Sequence, residues 1–512
     1  MTRARTVLGG ILLGVVLMSG CTPSTTPTAT PTASSSADKT PRLPQVADPL
    51  ALKDVAAFSG VAALEAGSNC TGTLIDTKVP SGPAYVLTNG HCVGDVGRAP
   101  QQTTIGKGWS GTAEFLRVAG HLDNTLTVNV VQLAYSTMRH TDTAIVRLDR
   151  TLADLEDLGI RPVPLATAEP AQGSDVTNIG VPVQDLPVED WVLRHGACQF
   201  GAQHTVIELG WLWNDVWSNT CPGIIQGSSG SPLFSLDAAG APSAIVGMIN
   251  TTTWGVSAAD GGACFINRPC EVTADGVRMV EQTSYAQSVA GLAACFDQSG
   301  GFALEGACPL PRSDIWAESG GGTFQGGHVP NAAGAIPQVS LVGLEAGTAR
   351  TALVPLGDAT ACQRAETYAG SRSVTLPKAG EPWEAVGVTV PVNLPETEGH
   401  YLLCAVRGAG YAAAASVLFE VDRTPPLFKA NAEVTDIGGG NVVVSPHLNP
   451  PEISTVRFAW GKPDLDCSNR SAFQDFFIVP LTIEAHDLPA RYCVYGLDAA
   501  GNATDITTID IP

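Results

Sequence analysis

Residues 85–92 read YVLTNGHC, a run of β-forming side chains that ends in a histidine beside a cysteine. A histidine so placed can be a general base, a metal ligand, or an ordinary residue next to a disulfide. The surrounding chain separates these readings. Three further short stretches stand in a definite order around it: CTGTLI at 70–75 before it, then TDTAIVRL at 141–148 and QGSSGSPLF at 226–234. Between them lie runs of β character, such as TLTVNVVQL, VTNIGVP and SAIVGMIN, divided by Gly, Pro and Asp. Such spacing predicts many short strands and turns, hence mostly β structure. One helix is expected over EQTSYAQSVAGLAACF (281–296), where Tyr285, Val289, Leu292 and Ala293 would share a face.

Composition bounds the rest. The 512 residues are too many for one ordinary core, so two to four domains are expected. Hydrophobic residues make up 44% and charged residues 15%, a balance that suits folded domains rather than disorder. A formal net charge of −21 would repel a phosphate backbone and argues against nucleic-acid binding.

The N-terminus has the pattern of an export signal. Arg3 and Arg5 precede a 12-residue apolar run, VLGGILLGVVLM, which is short for a membrane span. It leads into LMSGC, which resembles the lipobox of bacterial lipoproteins, with Met18 where Leu is commonest. The resemblance implies cleavage before Cys21 and a lipid anchor on that residue, placing the protein on the outer side of a bacterial membrane. Residues 22–41 hold 15 Thr, Ser or Pro in 20 positions and would form an extended tether with a reach of roughly 60 Å.

Thirteen cysteines less Cys21 leave an even dozen, as a disulfide-bonded exported protein would have. Proximity in sequence suggests Cys70–Cys92, Cys362–Cys404 and Cys467–Cys493. The pairing of Cys198, Cys221, Cys264, Cys270, Cys295 and Cys308 stays open, with neighbours 198–221, 264–270 and 295–308 the simplest choice. No CxxC or HxxxH spacing suggests a zinc site.

The four stretches in their order resemble the trypsin/chymotrypsin superfamily of serine proteases, and more closely its bacterial trypsin-like branch. Those proteins carry Cys-x-Gly-[Ser/Thr]-Leu-Ile, Leu-Thr-Ala-Ala-His-Cys, Asp-Ile-Ala-Leu-x-x-Leu and Gly-Asp-Ser-Gly-Gly-Pro. The resemblance covers roughly residues 50–300. It implies an all-β, double-barrel domain, a protein or peptide substrate and no cofactor. It makes Ser229 the nucleophile, His91 its base and Asp142 the acid that orients the imidazole, with the N–H groups of Gly227 and Ser229 as an oxyanion hole. The physical logic is independent of the family: a serine hydroxyl is a poor nucleophile until an adjacent base takes its proton. The chain order His91, Asp142, Ser229 excludes an α/β-hydrolase, in which the serine comes first. An esterase using the same triad cannot be separated from a peptidase by sequence, and an inactive protease-like scaffold or adhesion protein is the reading from another class.

The departures are informative. Ser228 stands where many animal members have Asp, so activation by insertion of a new N-terminus is not expected. Ser231 replaces a second glycine, and a left-handed backbone there would be costly. The two stretches that would line the P1 pocket, CPGIIQ (221–226) and GMINTTTWG (247–255), hold no acid and no histidine, which points to a small or apolar P1 residue.

The expected organisation is therefore signal 1–21, tether 22–49, protease domain 50–312, Gly-rich linker 313–336, and two sandwich modules at 337–422 and 427–512. Each module carries a Tyr shortly before a Cys in an alternating strand (Tyr401 and Cys404; Tyr492 and Cys493), which resembles bacterial immunoglobulin-like modules with a Cys bridging the two sheets.

Overall fold

The structure is a computed structural model that describes residues 46–94, 103–312, 315–319, 327–328, 338–343, 346–358, 360–377, 387–427, 429–446, 452–476 and 479–512. Cys21, the signal segment and the tether through residue 45 lie outside the described residues. No helix among the described residues is long and apolar enough to cross a membrane.

Six strands close the first barrel: β1 (Val61–Glu65), β2 (Asn69–Leu74), β3 (Pro83–Thr88), β4 (Thr104–Phe115), β5 (Leu126–Thr137) and β6 (Thr143–Thr151), in the order β1-β2-β3-β6-β5-β4. Alternating residues of these strands, among them Leu64, Leu74, Val86, Phe115 and Val146, fill its interior.

A second ring is built from β7 (Asp175–Gly180), β8 (Arg194–Glu208), β9 (Trp211–Asn219), β10 (Pro232–Leu236), β11 (Pro242–Thr252) and β12 (Ser284–Ser288). It runs β7-β8-β9-β12-β11-β10 and closes back on β7. A Cys270–Met279 hairpin extends from β8. Between the barrels, Tyr85, Tyr135 and Ile145 pack with Ile179, Phe234 and Met248 in one apolar cluster. That seam holds the two halves in fixed register.

The helix expected over 281–296 does not form. Residues 284–288 are a strand held on both sides, by β9 and β11, and a 3-10 turn follows at Leu292–Cys295. Gly291 at φ 79° separates them. Pairing with two neighbours supplies backbone partners on both edges of this buried segment, and that outweighs the helical spacing of its apolar side chains. The one α-helix among the described residues is Leu152–Asp157, opened by a capping box between Thr151 and Asp154.

The chain from Ile315 onward forms two further pairs of sheets. In the first, a three-stranded sheet (Ile315–Ser319, Gln338–Gly343, Val388–Pro391) accompanies a larger one built on Gly347–Pro355, Arg372–Leu376, Gly399–Arg407 and Ala415–Val421. The second combines Ala432–Gly438, Asn441–Pro446 and Leu481–Ile483 with a sheet on Thr455–Gly461, Ala490–Leu497 and Thr507–Ile511.

Two boundaries differ from expectation. Asp48–Pro49, read as tether, pairs with Arg194 and His195 of β8. Ile315–Ser319 and Gly327–His328, read as linker, are strands of the first sandwich. Glycine content marked a flexible segment, but hydrogen-bonding partners far along the chain recruit parts of it.

All six proximity pairs are disulfides: 70–92, 198–221, 264–270, 295–308, 362–404 and 467–493. The sheet-to-sheet bridge expected in the modules is corrected. Cys362 lies in the 3-10 turn Ala361–Gln363 and Cys467 in a loop, so each bond ties a connection to a strand.

The first sandwich is not a separate bead. Ile207, Leu212 and Cys270 of the second barrel share a buried cluster with Leu356, Tyr368, Leu402 and Leu418.

Candidate active site

His91 follows β3 on the 3-10 turn Gly90–Val93. The Cys70–Cys92 bond, Cα to Cα 6.0 Å, staples this turn to β2. Among the described residues the one His/Cys/Asp/Glu group with metal-ligand spacing is Cys70, His91 and Cys92. Its two sulfurs are bonded to each other, so neither is a thiolate. Gly90 is required by packing: a Cβ there would lie 2.2 Å from the Thr137 carbonyl oxygen. The alanine common at this position in the resembling family has no room here.

Asp142 sits just before β6 and is fully buried. Its Oδ2 lies 2.7 Å from His91 Nδ1, and its Oδ1 accepts the His91 backbone N–H at 3.0 Å. Asn89, also buried, donates from Nδ2 to the Asp142 carbonyl at 2.9 Å. With Nδ1–H directed at the carboxylate, Nε2 carries the lone pair, the tautomer a base requires. Burial alone would pull the imidazole pKa down. The Asp142 charge, its hydrogen bond and the Glu208 charge outweigh that, and His91 titrates above its usual 6.5.

The turn that carries Ser229 is held from beneath by one residue. Thr71 Oγ1 donates to the Gly227 carbonyl at 2.9 Å and accepts the Val181 N–H at 2.9 Å. Its backbone N–H donates to the Ser229 carbonyl at 2.8 Å, and its own carbonyl accepts from Thr88 Oγ1 at 2.8 Å. Gly230, at φ 82°, presses so close that a Cβ would stand 2.0 Å from the Thr71 oxygen. Gly227 is likewise left-handed at φ 95°. The backbone N–H groups of Gly227 and Ser229 make no hydrogen bond among the described residues, whereas those of Ser228, Gly230 and Ser231 are all used. Ser229 is half-buried. No hydrogen bond joins it to His91 among the described residues; in unliganded sites this contact is often long and tightens in the complex.

Ser231 is not strained. It is absent from the left-handed residues, is fully buried, and its hydroxyl accepts from Asn178 Nδ2 at 2.8 Å. Ser228 is buried as well, and its hydroxyl accepts the Ile225 N–H at 3.3 Å.

Thr71 escaped the sequence reading because a threonine in a strand motif looks like an ordinary β-former. Replacing it with valine keeps the shape and leaves two buried groups without partners. The expected cost is about 1–3 kcal/mol for each, read as a lower urea midpoint at unchanged slope, together with weaker turnover.

Glu208 also escaped it. This carboxylate ends β8 in the run VIELG, is 4% exposed, and its Oε1 accepts the Asn267 N–H at 2.7 Å. Burial pushes its pKa up to about 7; the Thr251 hydroxyl, the Asn267 N–H and His91 oppose the shift, and Asp142 adds to it. This acid lies outside the two stretches read as pocket walls. A lone acid in an apolar run was the available signal.

Residues 70–248 match the family model described as the trypsin-like peptidase domain. No curated protein matches the chain at a significant level. Among solved structures, the chain is similar to a thermostable serine protease from an extremophilic microorganism at 13% identity, covering 48% of this chain and 97% of that one with a TM-score of 0.31. A Glu endopeptidase is 16% identical, with 49% and 94% covered and a TM-score of 0.32. A scabies mite inactivated protease paralogue is 18% identical, with 49% and 96% covered and a TM-score of 0.33. The chain carries a trypsin-like peptidase domain, matched over residues 70–248, and the two six-stranded barrels reach beyond that match at both ends, to β1 and β12.

Proposed function

We propose that the protein is an exported, lipid-anchored serine endopeptidase acting through Ser229, His91 and Asp142. The observation that carries this reading is the His91 Nδ1–Asp142 Oδ2 hydrogen bond of 2.7 Å, which leaves Nε2 as the proton acceptor. In the first step Ser229 Oγ attacks the scissile carbonyl carbon while its proton passes to His91 Nε2. The buried Asp142 carboxylate stabilises the imidazolium that forms. The carbonyl oxygen becomes an oxyanion, for which the N–H groups of Gly227 and Ser229, without a partner among the described residues, are the donors at hand. His91 then protonates the leaving amine, an acyl-enzyme remains, and a water activated by the same imidazole releases it.

Six disulfides support passage through an oxidising compartment, and the Cys21 motif supplies the anchor. A small or apolar P1 residue remains the preference we propose, since the wall segments 221–226 and 247–255 carry no charge.

The test is labelling of the full chain with a fluorophosphonate probe, followed by mass spectrometry of its peptides. We expect one adduct per chain, on the peptide containing Ser229. A correctly disulfide-bonded chain that takes up no probe would replace this reading with that of an inactive protease-like scaffold. Turnover of esters but not of a peptide library would make it an esterase.

A further inference from the structure

The loop that delivers Asp142 also carries a fully buried arginine. Arg139 stands three residues before the acid. Its Nη1 donates to the Ile315 carbonyl at 2.9 Å and its Nη2 donates to the Ala413 carbonyl. The next residue, His140, is left-handed at φ 58°, and its Nε2 lies 3.3 Å from the Ala414 carbonyl. Ile315, Ala413 and Ala414 all belong to the first C-terminal sandwich. The carbonyl of His140 in turn accepts the Asn214 N–H at 2.9 Å, which ties the loop to the second barrel. Four consecutive residues, 139–142, thus hold both the sandwich and the catalytic acid.

Taking a guanidinium out of water is costly unless hydrogen bonds replace the lost hydration. Here carbonyls of the sandwich supply such bonds, so the buried state of Arg139 depends on the sandwich being in place. The grip also persists at neutral pH: burial and the Arg139 charge push the His140 pKa down to about 4, and its ring stays neutral. Behind these polar contacts lies the apolar seam of Ile207 and Leu212 against Leu356, Leu402 and Leu418.

We infer that the first C-terminal sandwich is a positioning element of the peptidase site, and that Arg139 is the positioning residue through which it holds the Asp142 carboxylate against His91. The inference rests on the Ser229–His91–Asp142 reading for its effect on turnover, but not for its effect on the His91–Asp142 hydrogen bond. Freed of its carbonyl partners, the 139–141 segment can shift and lengthen that bond. Misplacement on the order of 1 Å costs an active site about a hundredfold in rate.

The test is Arg139→Met in the full chain, beside Arg139→Lys, which can keep one carbonyl contact. Two readouts are taken: the downfield proton resonance of His91 Nδ1–H, and the pH dependence of kcat/KM per probe-titrated site. The carboxylates whose charges raise the His91 pKa are Asp142 and Glu208, and both variants leave them unaltered. For Met we expect the resonance to move upfield or vanish, the acid limb to shift to lower pH, and kcat to fall about a hundredfold with KM little changed; Lys should recover part of each. A general loss of stability would lower the number of titrated sites without moving the limb. An unmoved resonance and an unmoved limb in folded Met variant would overturn the inference. Should Met fail to fold, the same two results in Lys decide it either way. Wild type that takes no probe, with the resonance still dependent on Arg139, would sink the endopeptidase reading and leave the positioning role standing.

Discussion

Ser229→Ala is expected to lower kcat about a millionfold with little change in KM, the scale found when the nucleophile of another serine protease is removed. On the proposed mechanism the Ser229 hydroxyl carries the covalent step, and no neighbour can substitute for it. Ser228 and Ser231 are both buried and already hydrogen-bonded, to Ile225 and Asn178 respectively. The fold should be indifferent, because Thr71 holds this turn through the carbonyls of Gly227 and Ser229 and not through the Ser229 side chain. Residual activity of about 10³–10⁴ over the uncatalysed rate should persist from substrate binding and the oxyanion donors. Stopped-assay kinetics on a peptide substrate, with thermal melts on the same sample, measure both parts. A variant that retains more than a hundredth of wild-type kcat would remove Ser229 from the nucleophile's role.

Asp142→Asn is expected to cost about 10⁴ in kcat, the loss seen for the same change in another triad. The amide would present an N–H to His91 Nδ1 and favour the wrong tautomer, leaving Nε2 protonated and unable to act as base. The pH profile gives an independent check. With His91 as the base the neutral ring is the active form, so activity is expected to rise with pH through a midpoint above 6.5. The Asp142 charge and hydrogen bond are the main raising influences, opposed by burial. Removing them should move the acid limb to lower pH even as its plateau collapses. The corresponding contribution to stability runs the opposite way with pH: a histidine whose pKa is raised by folding adds stability below its unfolded value, and that contribution fades as pH climbs through the folded one. A limb that stays in place in Asp142→Asn would show that another group governs it, with Glu208 the first to examine.

What was readable in the sequence, and what was not, follows the range of the interactions. The four stretches around His91, Asp142 and Ser229 are short and ordered, and each bears its own turn or strand chemistry. The disulfides close loops of 6 to 42 residues, so proximity sufficed to pair them. Arg139, by contrast, bonds carbonyls 176 and 274 residues further on. Nothing near MRHTDT hints at that. The doubt raised by Ser231 came from assuming that a position usually glycine must be left-handed; here Gly227 and Gly230 carry the positive φ and Ser231 does not. The 281–296 segment misled for the converse reason, since its apolar spacing fits a helix and only its two strand neighbours make it a strand.

The cluster joining Ile207 and Leu212 to Leu402 and Leu418 has a consequence for biosynthesis. A chain emerging from its N-terminus presents His91, Asp142 and Ser229 once residue 229 has appeared, yet the outer wall of the second barrel stays uncovered for nearly two hundred residues more. If the chain is the endopeptidase proposed above, folding along the chain should therefore yield a competent enzyme only after the strand ending at Val421 has arrived. On the proposed reading, such an arrangement would delay hydrolytic capability until most of the chain has been made.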